Sequence, residues 1–328
     1  MSRRKILVAG GAGFIGSHTA KLLHKQGFEP IVYDNLSTGH LASVRWGAFV
    51  EGDIQDTQRL AETIENHRPA AVIHFAASAY VGESVENPAK YYANNVNGTR
   101  SLLEACRSTG ADKLIFSSSC ATYGIPNHLP IRESETQRPI NPYGRTKLIG
   151  EHMLADYSAA YGLRYVALRY FNASGADPEG ELGEWHAPET HLIPRAMLAA
   201  GGSIDVLDVY GDDYDTKDGT CIRDYIHVTD LARAHVLAVE YLIGGGADLA
   251  VNLGTGHGTS IKEIVTAIAR ICGRPVPVAI RARRPGDPPS LYAASDLAAE
   301  KLGFRVLHSD IDTIIRTAAP FFGLEVQA

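Results

Sequence analysis

A tyrosine and a lysine four residues apart could supply acid–base chemistry. Tyr143 and Lys147 lie in a stretch with a helical pattern, where positions i and i+4 share one face of the helix. A phenol with a pKa of about 10 is a poor base at neutral pH. A cation a few ångströms away contributes about 4 kcal/mol at an effective dielectric constant of about 20. We therefore predict that Lys147 lowers the pKa of Tyr143 and makes it a general base.

A serine could hydrogen-bond the same reacting oxygen. The run Ser117-Ser118-Ser119 ends the predicted fifth strand, and ligands of parallel sheets bind beyond the carboxyl ends of the strands. These hydroxyls are therefore expected to point at the site, with Ser119 in contact with the substrate. The tyrosine–lysine spacing alone is common by chance. Two helix-surface residues with no shared task are the alternative, which the serine and the glycine pattern described below disfavour.

The elements that must position these residues form a repeating pattern. The first 170 residues alternate short β-branched runs with amphipathic stretches, which predicts an α/β fold, a Rossmann-type doubly wound parallel sheet. Predicted strands include Lys5–Ala9, Pro30–Tyr33, Ala70–Phe75, Lys113–Ser117 and Tyr165–Arg169. Predicted helices lie near Phe14–Gln26, Asp56–His67, Pro88–Thr109 and Pro142–Tyr161.

A glycine pattern between the first strand and the first helix predicts a dinucleotide site. Gly10, Gly13 and Gly16 permit a tight turn and leave the helix N-terminus to receive a pyrophosphate. Asp34 ends the second strand and is the expected partner of the adenosine ribose hydroxyls. The stretch Asp34-Asn35-Leu36 has an acid and no adjacent arginine, which favours NAD over NADP. Asp53 and Ile54 fit an adenine contact or, nearly as well, a turn that caps the next helix.

Composition and the second half of the chain limit the remaining possibilities. The net charge of −6 comes without a run of like charges, which argues against nucleic acid as a partner. Four scattered cysteines favour a reducing cytoplasm, and no apolar span of about 18 residues predicts a membrane helix. No metal site is predicted. The strand–helix rhythm breaks between Gly175 and Pro188, so we expect an NAD-binding domain of residues 1–172, to which part of 219–258 returns, and a smaller domain of residues 173–328.

Several further stretches are similar to a known family. The chain resembles the extended short-chain dehydrogenase/reductases and, within them, the UDP-glucose 4-epimerases of the NAD-dependent epimerase/dehydratase family, over nearly its whole length. Besides Gly10–Gly16, the matching stretches are Ser17-His18-Thr19, Tyr33–Leu36, His74–Ala77, Val81–Ser84, Asn94–Thr99, Leu168–Asn172, Asp218–Thr220 and Arg223–Val228.

The resemblance implies a reversible 4-epimerisation of UDP-glucose and UDP-galactose. Tyr143 would take a proton from the sugar 4-hydroxyl while hydride passes to tightly bound NAD, and the 4-keto sugar would turn before hydride returns to its other face. The resemblance also implies a smaller α/β substrate domain at the C-terminal side and a homodimer formed through the helices near Pro88–Thr109 and Pro142–Tyr161. No membrane or nucleic-acid partner is expected.

The same resemblance assigns roles residue by residue. The catalytic residues would be Ser119, Tyr143 and Lys147. The residues expected at the cofactor are Gly10, Gly13, Phe14, Ile15, Gly16, Asp34, Asn35, Asp53, Ile54, Phe75, Ala76, Ala77, Asn94, Ser119, Tyr143, Lys147 and Phe171. Those expected at the UDP-sugar are Ser119, Tyr143, Asn172, His191, Leu192, Tyr210, Arg223, Arg284 and Asp287, with Tyr210 as the aromatic partner of uracil.

Three positions depart from the family pattern. Ala79 stands where well-known members have lysine, and His191 stands where many have asparagine at the diphosphate. Leu291 occupies the gate position, which is tyrosine in glucose-restricted members and smaller in those that accept N-acetyl sugars. The sugar scope therefore stays open.

Other functions compete with hexose epimerisation. The pair Cys120-Ala121 replaces the Asp-Glu pair that a 4,6-dehydratase needs, and the glutamate expected of a UDP-glucuronate decarboxylase is missing. A UDP-xylose/UDP-arabinose 4-epimerase and a UDP-N-acetylglucosamine 4-epimerase remain as alternatives. A non-catalytic NAD-sensing regulator is the alternative from another class, which the retained Ser119, Tyr143 and Lys147 disfavour.

Overall fold

A parallel seven-stranded sheet forms the centre of the structure, a computed structural model that describes residues 3–284 and 287–327. Numbered along the chain, the strands are β1 (Lys5–Ala9), β2 (Glu29–Asp34), β3 (Ala48–Glu51), β4 (Ala71–His74), β5 (Lys113–Ser117), β6 (Arg164–Arg169), β7 (Asn172–Ser174), β8 (Leu207–Tyr210), β9 (Ile222–Arg223), β10 (Tyr225–His227), β11 (Leu249–Asn252), β12 (Thr259–Ser260), β13 (Val278–Arg281) and β14 (Ser290–Leu291). The order in the large sheet is β11-β6-β5-β4-β1-β2-β3. This confirms the predicted doubly wound α/β fold.

Helices cover both faces of this sheet. They are α1 (Phe14–Lys25), α2 (Thr57–His67), α3 (Val81–Glu86), α4 (Pro88–Tyr91), α5 (Gly98–Thr109), α6 (Pro142–Tyr161), α7 (Leu192–Ala200), α8 (Val228–Ile243), α9 (Ile261–Cys272), α10 (Asp296–Leu302) and α11 (Ile311–Ala318). None of the described helices is long and apolar enough to cross a membrane. The four cysteines are free and buried.

Strand β1 shows how the core is built. Ile6 and Val8 pack on the face covered by α1 and α8, whereas Leu7 packs on the face covered by α2, α5 and α6. All three side chains are fully buried. Successive side chains of a strand alternate between faces, and both faces of a parallel sheet are covered. The continuous apolar run in the sequence follows from this double burial.

The helix predicted over Pro88–Thr109 is interrupted in the structure. Between α4 and α5 lies a π-helical turn, Tyr92–Asn97. Such turns accommodate one extra residue and often occur at functional sites. At Gly98, where α5 begins, a Cβ would lie 2.6 Å from Cγ2 of Ile54, so only glycine lets this segment approach the loop after β3.

A second core lies beyond the carboxyl ends of the large sheet. Helices α7, α9 and α11 bury Ile193, Met197, Ile264, Ile268 and Ile315 against one another. Strands β8 and β13 pair beside them, and β9 pairs with β12 and β14. Strand β11 instead pairs with β6 in the large sheet. The division of the chain into domains at residue 172 remains a proposal.

Candidate active site

The turn between β1 and α1 is tight and leaves the start of α1 open. Gly10 has a φ of +81°, and a Cβ on it would lie 2.4 Å from the main-chain nitrogen of Ala76. A Cβ on Gly16 would lie 2.3 Å from the carbonyl oxygen of Gly10. Gly13 caps α1 without a side-chain hydrogen bond, so the first N–H groups of the helix can meet an anion.

Asp34 braces this turn from the end of β2. Its carboxylate accepts hydrogen bonds from the N–H of Ala12 at 3.0 Å and of Leu36 at 2.8 Å. Burial raises the pKa of Asp34, and these two backbone hydrogen bonds lower it. Each oxygen keeps a lone pair for a further donor, so the predicted ribose contact is compatible with the bracing role.

The predicted adenine contacts lie beside Asp34. The Asn35 amide donates to Oδ2 of Asp53 at 2.8 Å, and the hydroxyl of Tyr33 donates to the carbonyl of Asp53. Ile54 is buried next to them. The structure therefore brings Asp34, Asn35, Asp53 and Ile54 together, and with the glycine turn they fit the adenosine half of NAD.

The predicted nicotinamide side is formed by the end of β4 and the π-helical turn. Phe75 and Ala76 both donate main-chain N–H groups to the carbonyl of Ala9, and Ala77 follows in the same loop. Asn94 extends its amide to within 3.5 Å of the Ser78 hydroxyl. These residues thus lie at the carboxyl ends of β1 and β4, next to the glycine turn.

Sequence reasoning missed Asn95, which joins this loop to α6. Its side-chain amide donates to the carbonyl of Ser78 and to the hydroxyl of Thr146, each at 3.0 Å. Its carbonyl accepts the N–H of Ser78 at 2.8 Å. The available signal was its place in the Asn94–Thr99 stretch, one residue from a predicted cofactor contact.

Ser119, Tyr143 and Lys147 meet at the carboxyl end of β5. Tyr143 and Lys147 lie in the first turns of α6, and the Lys147 ammonium is 5.9 Å from the centroid of the Tyr143 ring. The ammonium is buried and donates to the carbonyl oxygen of Ser117 at 2.7 Å. Ser119 hydrogen-bonds the Tyr143 phenol, so two hydroxyl groups face one position where a substrate oxygen can lie.

The prediction that Lys147 lowers the pKa of Tyr143 was wrong for the protein without its cofactor. Burial raises the pKa of Tyr143, and the hydrogen bond with Ser119 only partly opposes it. Burial also lowers the pKa of Lys147, to about 8. Lys147 donates a hydrogen bond to the Ser117 carbonyl rather than to the phenol, so its spacing on the helix did not predict its effect. A low pKa at Tyr143 requires additional positive charge.

Ser117 and Ser118 do not point at the site, in contrast to the prediction. Ser117 hydrogen-bonds the hydroxyl of Tyr170, and Ser118 donates to Glu151. Both serines are buried. Ser119, which follows them and caps the short turn Cys120–Thr122, lies at the Tyr143 phenol instead.

A buried ionic network lies behind α6. Arg169 at the end of β6 donates two hydrogen bonds to Glu151, Nε to Oε1 at 2.9 Å and Nη2 to Oε2 at 2.6 Å. Its Nη1 donates to the hydroxyl of Tyr123 at 2.8 Å. This hydroxyl in turn donates to the side-chain carbonyl of Asn252, at the end of β11. This network, also missed from the sequence, fixes the helix that carries Tyr143 to β6 and β11.

The residues predicted to hold the nucleotide form two close pairs. Arg223 donates to Oδ1 of Asp287 at 2.9 Å, and the Arg284 guanidinium lies 3.9 Å from the centroid of the Tyr210 ring. Because Arg284 covers one face of Tyr210, a stacked base would use the other face or displace the arginine. Asn172 belongs to neither pair and donates to the carbonyl of Asp224, the residue after Arg223, at 2.8 Å.

The remaining predicted contacts lie at the start of α7 and near β14. His191 caps α7 and places Nδ1 2.5 Å from Oε1 of Glu184. The Leu192 side chain packs into the core of α7, α9 and α11, so only its main chain could face a ligand. Leu291 and Phe171 both pack against the buried cluster that contains Cys120.

The fold and this arrangement define a nucleotide-dependent short-chain dehydrogenase/reductase: a glycine turn at an open helix N-terminus, an acid ending β2, and a serine, tyrosine and lysine beyond β5. The chain matches the NAD dependent epimerase/dehydratase family over residues 6–254 and belongs to it. The family inferred from the motifs is thus confirmed.

Named relatives cover almost the whole chain. The UDP-glucose 4-epimerase of Rhizobium meliloti (strain 1021) is 55% identical over 304 residues, which are 93% of each chain. That of Rhizobium leguminosarum bv. trifolii is 54% identical over 97% of each chain. The crystal structure of UDP-glucose 4-epimerase from Brucella ovis in complex with NAD has 75% sequence identity and a TM-score of 0.98, covering 99% of this chain and 100% of that one.

Proposed function

We propose that this chain is an NAD-dependent isomerase that interconverts UDP-glucose and UDP-galactose by inverting C4 of the sugar. The observation that carries the proposal is the contact of Ser119 with Tyr143 beside the open glycine turn. The relatives with 55% and 54% identity are named for this activity, which supports the substrate.

Each residue of the site has a chemical task in this reaction. The Ser119 hydroxyl and the Tyr143 phenol hydrogen-bond the sugar 4-oxygen. Tyr143 holds the proton of the 4-hydroxyl and returns it to the same oxygen when the configuration has been inverted. The glycine turn and Asp34 would hold NAD, which when bound would supply the hydride acceptor and donor and place positive charge near the phenol. Lys147 adds a second cation and holds the end of β5 through the Ser117 carbonyl.

Inversion requires that the sugar present both faces to the same groups. The nucleotide-binding residues Tyr210, Arg223, Arg284 and Asp287 lie on or next to β8, β9, β13 and β14, and arginine forks suit a diphosphate. A substrate held through its UDP part leaves the sugar ring free to turn about the diphosphate bonds. The net reaction consumes no cofactor, so the protein can keep NAD bound.

Direct conversion of the sugar tests the proposal. We expect purified protein without added NAD to convert UDP-galactose to UDP-glucose, followed through the H4 and anomeric proton signals by NMR. UDP-xylose and UDP-N-acetylglucosamine in parallel rank the alternative sugars, and Leu291 at the gate position favours measurable use of the N-acetyl sugar. No change of any sugar, even with NAD supplied, would overturn the proposal.

Removing one oxygen atom tests the role of Tyr143. Tyr143→Phe is expected to keep the cofactor and to lose turnover by about 10²–10⁴-fold, the usual contribution of an acid–base group. Tyr241→Phe makes the same change near the end of α8, outside the segments expected at the site and at the interface, and should retain normal turnover. Undiminished turnover in Tyr143→Phe would contradict the assignment.

We also propose a cytoplasmic homodimer that acts in galactose metabolism. Exposed Tyr92 and Tyr161 lie on the segments expected at the interface, the π-helical turn before α5 and helix α6, and four free cysteines suit a reducing compartment. Light scattering at micromolar concentration should give twice the chain mass of 35.3 kDa. A monomeric mass would contradict the dimer.

A further inference from the structure

Two histidines and two glutamates converge in the loop before α7. The closest potential ligand atoms of Glu184, His186, Glu189 and His191 all lie within 4.8 Å of one another. Glu184 is the most deeply buried, with a side chain that is 3% exposed, and Glu189 is 9% exposed. The order Glu-x-His-x-x-Glu-x-His places all four on a segment of eight residues.

Three of the nitrogen–oxygen separations are close to the edge length of a tetrahedral site, with Glu189 turning a different oxygen to each histidine. Nδ1 of His186 is 3.4 Å from Oε1 of Glu184 and 3.3 Å from Oε2 of Glu189, and Nδ1 of His191 is 3.7 Å from Oε1 of Glu189. Ligands bonded to one tetrahedral ion at about 2.0–2.1 Å lie roughly 3.3 Å apart. The pair His191 and Glu184, at 2.5 Å, is closer than this and would have to separate by nearly 1 Å.

The orientation of the rings is compatible with a shared central ion. Both imidazoles turn the same nitrogen, Nδ1, toward one oxygen of Glu184. His186 lies 3.3–3.4 Å from both glutamates, which is long for a charge-assisted N–H to oxygen bond of about 2.7–2.9 Å, whereas His191 and Glu184 form a short one at 2.5 Å. A central cation would offset the charge of the two largely buried carboxylates.

We propose that Glu184, His186, Glu189 and His191 bind one divalent transition-metal ion of the zinc class. Two imidazole nitrogens and two carboxylate oxygens in tetrahedral positions suit Zn²⁺. Calcium takes six to eight oxygen ligands and magnesium prefers octahedral oxygen, so both fit this set poorly. The ion organises the loop and takes no part in the epimerisation steps.

The ion would connect the start of α1, at the predicted cofactor site, with the start of α7, at the predicted UDP-sugar site. His186 packs edge-on against Phe14 of the glycine turn, with ring centroids 6.4 Å apart, and His191 lies 6.1 Å from Tyr80. Coordination through Nδ1 leaves the proton of His191 on Nε2. The half-exposed His191 then presents an N–H donor from the cap of α7, where the family pattern has an asparagine amide.

Metal content measures the site independently of epimerase activity. Protein without a histidine tag is treated with a chelator, dialysed against Zn²⁺ and then against metal-free buffer, and analysed by mass spectrometry of the metal. We expect one zinc per chain. His186→Ala and His191→Ala should each lower the zinc retained at least tenfold, whereas His128→Ala, at an exposed loop position, should retain one.

Cobalt provides a second measurement that needs no variant to fold. Co²⁺ in a tetrahedral site absorbs strongly in the visible range, whereas hydrated Co²⁺ absorbs weakly, so titration of the chelated wild type should give a strong band that saturates at one equivalent. Absence of retained zinc in the wild type, a weak cobalt spectrum, or full zinc content in a folded His186→Ala/His191→Ala double variant would overturn the proposal.

Discussion

The buried ammonium of Lys147 lowers the stability of the folded protein although the residue is needed for catalysis. Its ammonium is buried, and its main polar contact is one carbonyl oxygen, that of Ser117. Burial lowers the pKa of Lys147 from 10.5 to about 8, an effect that Glu151 only partly opposes. At neutral pH the residue is held as a cation in surroundings that favour the neutral amine.

Replacement of this residue should therefore stabilise the protein while it abolishes function. Burial of the charged lysine lowers the free energy of unfolding by up to roughly 3 kcal/mol at pH 7. Its hydrogen bond to Ser117 contributes about 1 kcal/mol in the other direction, which the variant loses. Lys147→Met is expected to raise the free energy of unfolding at pH 7 by about 1–2 kcal/mol and to lose turnover. Urea unfolding of both proteins, with equal cofactor content, measures the difference.

The pH dependence of that difference has a definite sign. Between about 8 and 10.5 the unfolded wild type binds a proton at this lysine that the folded protein has released. The stability contributed by Lys147 thus rises with pH in this window. The advantage of Lys147→Met should shrink as pH rises from 8 to 10.5. An advantage that is constant over this range would contradict the burial argument.

For individual residues, the sequence predicted side chains that meet on one helix better than side chains that meet from different helices and strands. Tyr143 and Lys147 were predicted because four residues make one helical turn. Glu151 was missed because its partner Arg169 lies on β6, and no local spacing joins the two. His191 was predicted as a ligand contact, but its contact with Glu184 depends on the fold of the intervening loop.

Helix α6 is the element on which catalysis depends, and its position is fixed from behind. Glu151 and Arg169 are each 7% exposed at the side chain and form a bidentate pair. Such a pair contributes little compared with apolar packing, but removal of one partner leaves a buried charge and costs about 3–5 kcal/mol. The start of α6 is also held by its cap, Asn141.

Glu151→Gln is expected to lower the free energy of unfolding by about 3–5 kcal/mol. Because the helix carries both Tyr143 and Lys147, kcat should fall more than KM changes. Asp312→Asn breaks an exposed pair with Arg270 and should change little. The double variant Glu151→Leu/Arg169→Met should recover part of the lost stability. A loss for Glu151→Gln no larger than for Asp312→Asn would argue against the positioning role.

The ends of a helix could be predicted from the sequence where the helical pattern runs without interruption. Helix α6 begins and ends at the predicted residues, Pro142 and Tyr161. The segment Pro88–Thr109 has one helical period in the sequence, but the structure has a π-helical turn in it, next to the close approach of Gly98 to Ile54. A contact between distant segments leaves no periodic signal, so the turn could not be predicted.

The molecule has a core on each face of the large sheet and a further core around α7, α9 and α11. The large sheet was predictable because its strands are buried on both faces and therefore continuously apolar. The second core was not, because its strands have two to four residues and pair with partners far along the chain, as β8 does with β13. The return of β11 to the large sheet ties the C-terminal half to the cofactor side.

The stabilisation of the fold by bound UDP can test whether the residues on and next to β8, β9, β13 and β14 hold the nucleotide. A ligand that binds only the folded protein stabilises it by about 2.7 kcal/mol at one hundred times its dissociation constant. We expect UDP alone to raise the unfolding temperature. In Arg284→Ala, which removes the guanidinium from the face of Tyr210, the same UDP concentration should stabilise less, by about 1.4 kcal/mol for each tenfold loss of affinity.

Arg281→Ala is the matched control for this measurement. Arg281 ends β13 three residues before Arg284 and bonds to Asp208, so its loss removes the same charge from the same segment without touching Tyr210. If both variants lose UDP stabilisation equally, general positive charge accounts for the effect. If neither loses it, UDP is held elsewhere. Loss confined to Arg284→Ala means that the arginine on Tyr210 binds the nucleotide, as a mechanism in which UDP stays fixed while the sugar turns requires.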